Sequence, residues 1–315
     1  MKNLFYLLTL LLFFNCKSNL QSKHIAVTSN ELDEMVSYLA SDELSGRDIG
    51  SEGIEKAALF IENKFNTYGI KPYFDNYRNN FKVDDVKAFN IVGFLEGSDK
   101  KLKEEVVLIG AHYDHIGFSR KKVSNDSLAN GANDNATGTS AVIALAKHFS
   151  KKKLNKRSLM FVLFSAEEKG LLGSKHLAKK LKDENLNLYT MVNFEMIGVP
   201  FQDRDYTAFV SGYEMSNMAE KINTYTKSNL IGFSEVSKKY NLFRASDNHP
   251  FYYEFKVPCQ TISSCDRSNY DYYHHVDDEA EKMDYNHMAN LINKLIPAIE
   301  KMSNTETKEI ILKNE

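Results

Sequence analysis

Short apolar runs alternate with longer amphipathic stretches along most of this chain. The apolar runs have the length of buried strands, and they lie at residues 90–94, 106–109, 159–164, 191–196, 208–211 and 256–262. The amphipathic stretches repeat their apolar residues every three to four positions, which predicts two helices within residues 29–69 and others at 137–149, 172–181, 213–225 and 286–302. Strands alternating with helices indicate βαβ units. The pattern predicts an α/β fold, a three-layer sandwich with helices on both faces of a mixed, mostly parallel β-sheet.

The sequence predicts one domain, with an N-terminal signal and tether before it and a charged tail after it. No internal repeat or proline-rich linker interrupts residues 29–304, so we expect a single domain there. Residues 1–16 combine Lys2, a short apolar run and Cys16, the pattern of a secretory signal. The position of Cys16 resembles a bacterial lipoprotein signal, so we expect an exported protein, either periplasmic or anchored in the cell envelope by lipid on Cys16. Residues 17–28 predict a polar tether, and residues 305–315 a charged tail.

Composition narrows the range of partners. The chain has 40 basic and 42 acidic residues, a formal net charge of −2. There is no basic excess and no nucleic-acid-binding motif, so we expect no nucleic-acid partner. We expect membrane contact only through the lipid. Cys259 and Cys265 either form a local disulfide or remain buried thiols, and their spacing is not that of a redox or zinc motif.

Ligand-type side chains follow the predicted strands. His112 and Asp114 come just after the run at 106–109, and Asp134, between two asparagines, opens the helix at 137–149. In an open α/β sheet, ligands bind beyond the carboxyl ends of the strands. A carboxylate two residues from a histidine could orient its ring. An isolated H-x-D is more often a pair of exposed side chains, so its meaning depends on the later clusters.

Three further clusters of ligand-type side chains also lie at or beyond the ends of predicted strands. Glu167 and Glu168 follow the strand predicted at 159–164, and Glu195 closes the next predicted strand. An isolated pair of glutamates is typical of an exposed helix start, but beside a metal one carboxylate can bind the ion while the other takes a proton from water. The last cluster contains two adjacent histidines, of which either could be a ligand.

These clusters together contain enough donors for two metal ions. Two imidazoles and three carboxylates come from His112, Asp134, Glu168, Glu195 and one of His274 or His275. Nitrogen and oxygen donors without thiolate suit zinc, with manganese or cobalt as alternatives. A catalytic zinc needs three protein ligands. Five donors therefore indicate two ions that share one carboxylate, an arrangement suited to hydrolysis by activated water.

The motifs carry a resemblance to a known family. GAHYDHIG, GANDNATG, FSAEEKGLLGS, NFEMIG and YYHHVDD occur in the order found in the co-catalytic di-zinc aminopeptidases of metallopeptidase clan MH, a group that includes the glutamate carboxypeptidase II-like enzymes. The likeness runs from residue 30 to the C-terminal helix. It implies a single-domain zinc-exopeptidase-like fold, two Zn²⁺ ions (Mn²⁺ or Co²⁺ as alternatives) and a peptide substrate cleaved at its N-terminal bond.

The resemblance also implies roles for individual residues. Glu167 corresponds to the general base, and Tyr273 to a hydroxyl that stabilises the oxyanion. The implied metal ligands are His112, Asp134 as the bridge, Glu168, Glu195 where the family has Asp, and His274 rather than His275. Asp114 corresponds to the carboxylate behind His112, and Asp278 follows His274 at the family's spacing. The peptide bond after Asp134 is expected to be cis. The segment ASDNHPFYY resembles a substrate-side loop, which suggests Asp247 or His249 as substrate contacts.

Three other functions remain open on this fold. A glutaminyl cyclase-like transferase would use a single zinc, and a non-catalytic binding domain would keep the fold without turnover. Carboxypeptidase action on an acidic substrate is the third. Neither the oligomeric state nor the substrate side chain is indicated by the sequence.

Overall fold

The structure is a computed structural model that describes residues 26–313. The predicted signal peptide, Cys16 and most of the predicted tether lie outside the described residues. The described strands are β1 (Lys71–Pro72), β2 (Arg78–Val83), β3 (Val86–Leu95), β4 (Val106–His112), β5 (Phe118–Val123), β6 (Asp126–Leu128), β7 (Ser158–Phe164), β8 (Leu188–Phe194), β9 (Ala208–Val210), β10 (Ile231–Gly232) and β11 (Cys259–Ser263). The helices are α1 (Ser29–Leu39), α2 (Glu52–Tyr68), α3 (Thr137–Lys152), α4 (Leu172–Asp183), α5 (Met218–Thr226), α6 (Glu235–Lys239), α7 (Asn248–Phe255) and α8 (Tyr285–Asn304).

A nine-stranded mixed sheet forms the middle layer. Its order is β1-β3-β7-β4-β8-β11-β9-β10, with β2 paired to β3, while β5 and β6 form a separate hairpin. The central strands β7, β4, β8 and β11 are parallel, whereas β3 and β9 join them antiparallel on either side. The predicted fold class is confirmed, and parallel pairing is concentrated at the centre of the sheet.

The alternation of side chains along the central strands produces two cores. In β4, Val107 and Ile109 face one core, whereas Val106 and Leu108 face the other. The first core is covered by α1, α2, α3, α5 and α8, and the second by α4 and α7. Burial on both faces explains why these strands are apolar almost throughout.

Residue types at the helix ends determine where the helices start and stop. The Ser51 side chain accepts the Ile54 N–H at 3.1 Å and so caps the start of α2. Gly69 ends the same helix with a φ of 74°, a conformation that glycine adopts without strain. Within residues 26–313, none of the helices combines the length and the apolar character needed to cross a membrane.

The segment predicted as a charged tail packs on the domain as far as the structure describes it. The Ile310 side chain is buried, and its N–H donates to the Tyr189 hydroxyl at 2.8 Å. Leu312 forms a β-bridge with Ser216. Cys259 and Cys265 are both buried free thiols.

The topology brings the carboxyl ends of four strands to one edge of the sheet. Because β7, β4, β8 and β11 are parallel, their carboxyl ends lie along a single edge of the sheet. His112 lies at the end of β4, and the Glu167–Glu168 pair and Glu195 follow the ends of β7 and β8 closely, whereas Asp134 and His274 reach this edge on longer loops.

Candidate active site

The first group of donors surrounds the end of β4. His112 is the last residue of β4, and its ring is almost completely buried. Its Nε2 atom lies 3.3 Å from Asp134 Oδ1 and 3.2 Å from Glu195 Oε1. These three ligand atoms all lie within 4.8 Å of one another.

The second group lies on the other side of Asp134. His274 Nε2 lies 3.3 Å from Asp134 Oδ2 and 3.0 Å from Glu168 Oε2. Each oxygen of Asp134 therefore faces a different histidine. The structure brings together all five residues that the resemblance implies as ligands, with Asp134 shared between the two groups.

The spacing and charge of these atoms fit two bound cations. Ligands about 2.0–2.1 Å from a tetrahedral zinc ion lie roughly 3.3 Å from one another, close to the separations found here. Burial disfavours the charged form of Asp134, yet His112 and His274 hold its pKa well below the usual value. Burial likewise opposes charge on His274, but Asp134 and Glu168 raise its pKa to about 10. The carboxylates therefore favour positive charge at this place.

The loop before α3 is shaped to present Asp134. The peptide bond between Asp134 and Asn135 is cis, as expected from the resemblance. The backbone N–H groups of Asn133 and Asp134 donate to the Asp278 carboxylate at 2.8 and 3.1 Å. Tyr270 also donates its hydroxyl to Asp278. Asp278 thus holds the loop that carries the Asp134 carboxylate, whereas its position in the motif suggests a role beside His274.

Asp114 also has a different task from the one its spacing suggests. The His112 Nδ1 atom lies 3.1 Å from the backbone oxygen of Asp114 but 3.7 Å from its carboxylate. The carboxylate instead accepts the backbone N–H groups of Glu167 and Glu168 at 3.2 and 3.3 Å. The backbone carbonyl of Asp114 therefore orients His112, and its side chain fixes the turn that carries the two glutamates.

Glu167 lies beside both groups without belonging to either. Its side chain lines the same pocket as His112, Asp134 and Glu195. Burial raises the pKa of Glu167 well above its usual value, and the nearby carboxylates of Asp247 and Glu195 add to this against the opposing charge of His112. A carboxylate with a raised pKa accepts protons readily, which is the property a general base requires.

Tyr273 forms another wall of this pocket. Its ring stacks on His274 at 3.9 Å between centroids, and the Arg267 guanidinium lies 4.6 Å from its centre. Burial raises the pKa of Tyr273, so its hydroxyl remains protonated near neutral pH and can donate a hydrogen bond.

The pocket at these residues is small and partly apolar. It has a volume of about 60 Å³. Its apolar lining comes from Met196, Phe209, Leu242, Ala245 and Cys265. Arg267 supplies a positive charge at the same wall. The pocket can hold a side chain next to the candidate metal centre.

Asp247 and His249 do not line this pocket. Asp247 has no exposed surface, and burial raises its pKa to about 7. His249 packs edge-on against Phe243 and lines a separate cavity of about 310 Å³. Neither residue is therefore part of the pocket at the candidate metal centre, and a contact of Asp247 or His249 with substrate stays a prediction.

Sequence reasoning missed three residues of the site. His115 Nδ1 lies 3.0 Å from Glu168 Oε1, and the Ser246 hydroxyl donates to Glu195 Oε2 at 2.8 Å. The buried Arg47 guanidinium donates to the backbone oxygens of Tyr113 and Gly131, both at 2.9 Å. His115 is the second histidine of GAHYDHIG, so the motif itself could have indicated it as a further ligand. Ser246 lies in the segment ASDNHPFYY, although the pattern assigns it no role, and nothing in the sequence pattern distinguishes Arg47 from other polar residues.

Solved structures show the same fold. The LapA aminopeptidase of Legionella pneumophila superposes with a TM-score of 0.69 at 22% identity, over 89% of this chain and 72% of that one. A glutaminyl cyclase of Porphyromonas gingivalis gives a TM-score of 0.70 at 13% identity, over 87% and 98% of the two chains. At these identities the likeness concerns the fold alone.

Sequence comparison identifies the family. A protein of Trichophyton verrucosum named "Probable leucine aminopeptidase" is 26% identical over 209 residues, which are 64% of this chain and 52% of that protein. The chain spans about a quarter to a half of the length of such curated relatives. Residues 90–298, which contain every ligand of both groups, match the sequence profile described as Peptidase family M28. The chain therefore belongs to peptidase family M28.

Proposed function

We propose that the protein is a zinc-dependent aminopeptidase that hydrolyses the N-terminal bond of peptides with two Zn²⁺ ions. The observation that carries the proposal is the pair of donor groups that share Asp134, with Glu167 free beside them. His112 and Glu195 would hold one ion, and Glu168 and His274 the other. Ions bound there supply Lewis-acid polarisation of the scissile carbonyl and activate water.

The side chains around the donors account for the proton transfers. Glu167 accepts a proton from the attacking water and passes it to the leaving amine. The Tyr273 hydroxyl donates a hydrogen bond to the oxygen of the scissile carbonyl as negative charge develops there. The carboxylates of Glu167 and Glu195 are available to the positive charge of a free α-amino group, which favours cleavage at the N-terminus.

The lining of the pocket supports a preference for uncharged N-terminal residues. Its apolar side chains favour a side chain such as that of leucine or methionine. The Arg267 guanidinium repels a basic side chain. We therefore expect leucyl and methionyl anilides to be cleaved faster than lysyl anilide.

A substrate screen with and without chelator tests this function. Leucyl anilide should be cleaved, its N-acetylated form should remain intact, and chelator should abolish the reaction until zinc is restored. Cleavage of N-blocked peptides at an acidic C-terminus would point to a carboxypeptidase instead. Release of a pyroglutamyl product from a glutaminyl peptide would point to a cyclase. A zinc-loaded protein without any of these activities would support a binding domain.

We also propose that the protein acts in the cell envelope, tethered by lipid on Cys16. This rests on the signal-like pattern of residues 1–16 alone. Cys16→Ser should move the protein from the membrane fraction to the soluble fraction of the host cell and abolish incorporation of labelled fatty acid. Unchanged fractionation of this variant would contradict the lipid anchor.

A further inference from the structure

We propose that His115 is a sixth protein ligand of the metal centre, so that the two ions are held unequally. One ion would have four protein ligands, which are Asp134, Glu168, His274 and His115; the other would have only His112, Asp134 and Glu195. The inference rests on the two-ion site proposed above. It adds an asymmetry that the five ligands of the resemblance do not contain.

The first observation is the state of the His115 ring. The side chain has no exposed surface, and among the described residues neither ring nitrogen has a hydrogen-bond partner. A buried polar group without a partner is costly and calls for an explanation. Yet Nδ1 lies only 3.0 Å from Glu168 Oε1. Two donor atoms this close, but not aligned for a hydrogen bond, are arranged like two ligands of one ion.

The second observation is that other potential ligand atoms surround Nδ1 of His115. Nδ1 lies 3.8 Å from Asp134 Oδ2, and the ligand atoms of His115, Asp134, Glu168 and His274 all lie within 4.8 Å of one another. Asp134 Oδ2 is itself a buried oxygen without a hydrogen-bond partner among the described residues. Unsatisfied atoms of His115 and Asp134 thus converge on the same point.

Neighbouring residues pack closely against the His115 ring. The His115 ring meets the His274 ring edge-on, with 5.5 Å between centroids. On its other side lies Gly131, where an added Cβ would stand 2.5 Å from the His115 ring. A residue with a side chain at 131 would therefore press on the backbone oxygen of Asp134 and on the imidazole of His115. Gly131 also has a φ of 62°, which favours glycine at this position.

The number of protein ligands predicts how each ion behaves. Four protein ligands close a tetrahedral zinc site, whereas three leave a position open for water or substrate. We therefore expect the ion beside His115 to be retained firmly. The ion beside His112 should exchange more readily and leave the open position next to Glu167.

X-ray absorption at the zinc edge of the wild-type holoprotein tests the inference directly. Two zinc ions should be coordinated by three histidine rings in total if His115 is a ligand. Two rings shared by two ions would overturn the inference and leave the proposed function intact. A protein that binds no zinc would instead overturn the proposed function. This measurement needs no variant, so it does not depend on the folding of an altered chain.

Retention of zinc in variants provides the second test. During dialysis against increasing chelator, the wild-type protein should lose one ion well before the other. In His115→Ala the firmly held ion should bind at least about tenfold more weakly, and the absorption spectrum should show one ring fewer. The control is His275→Ala, because that ring accepts a hydrogen bond from the Asp277 N–H and lies outside both donor groups. A positioning role would weaken binding without changing the ring count, and that result would overturn the inference.

Discussion

Among the single residues of the site, Glu167 has the most specific proposed role, because it accepts the proton of the attacking water. Glu167→Gln keeps the size of the side chain but removes its ability to accept a proton. Turnover of leucyl anilide should fall by roughly 10² or more, while the zinc content stays at the wild-type level. Steady-state kinetics together with metal analysis by mass spectrometry measures both quantities.

The control for this substitution is Glu184→Gln, which alters an exposed glutamate paired with Lys180. It should change neither turnover nor zinc content. Near-normal turnover in Glu167→Gln would show that another group accepts the proton.

The sequence predicts the candidate metal ligands better than it predicts the residues that hydrogen-bond to those ligands and their loops. Glu168 and Glu195 can be found because each lies at the carboxyl end of a predicted strand, and Asp134 because it opens a predicted helix. Ser246 cannot be found in this way, since its contact with Glu195 joins residues 51 positions apart. Asp278 is found in the motif, but its partners in the loop at 133–134 are set by tertiary structure.

At the scale of elements, Arg47 joins the loops that carry the site. It follows α1, and its guanidinium donates to the backbone oxygens of Leu39, Tyr113, Asn130 and Gly131. Burial lowers the pKa of Arg47 to about 10, which still leaves it charged at neutral pH. The buried cation thus binds the loop after β4 to the loop before α3.

Arg47→Met should lower the free energy of unfolding by about 3 kcal/mol or more, because several buried carbonyls lose their donor. Urea denaturation followed by circular dichroism measures the change. Arg78→Met is the control, since Arg78 forms partly exposed ion pairs with Glu55 and Glu62, and it should cost no more than about 1 kcal/mol. Equal effects of the two substitutions would contradict the role given to Arg47.

The sequence predicts best the strands that are covered by helices on both faces. The runs at 106–109 and 159–164 lie within β4 and β7. The short helices α6 and α7 are missed because their apolar pattern is brief. The helix predicted at 213–225 begins only at Met218, where the Ser216 hydroxyl accepts the first N–H and Ser216 itself pairs with Leu312. A contact with the end of the chain therefore sets this boundary.

The packing of the C-terminal segment predicts that substitutions there affect the stability of the domain. Ile310→Ala should lower the free energy of unfolding by about 2 kcal/mol or more, because Ile310 is buried. Its neighbour Ile311 is 55% exposed, so Ile311→Ala should change stability by less than about 0.5 kcal/mol. Thermal unfolding of both variants checks the difference. A loose tail would make both substitutions neutral.

At the scale of the whole molecule, the fold does not decide the function. An aminopeptidase and a glutaminyl cyclase superpose on this chain almost equally well. The same architecture can host different reactions, so function is argued from the site. The distinguishing feature here is that both donor groups around Asp134 are complete.

The number of zinc ions per chain tests this feature most directly. We predict that the purified, zinc-loaded protein contains two ions per chain by mass spectrometry, and that cleavage of leucyl anilide requires both. Asp134→Asn, which weakens the shared ligand of both groups, should reduce the zinc content at both sites. One ion per chain in a fully active wild-type protein, or two ions retained unchanged in Asp134→Asn, would contradict the account.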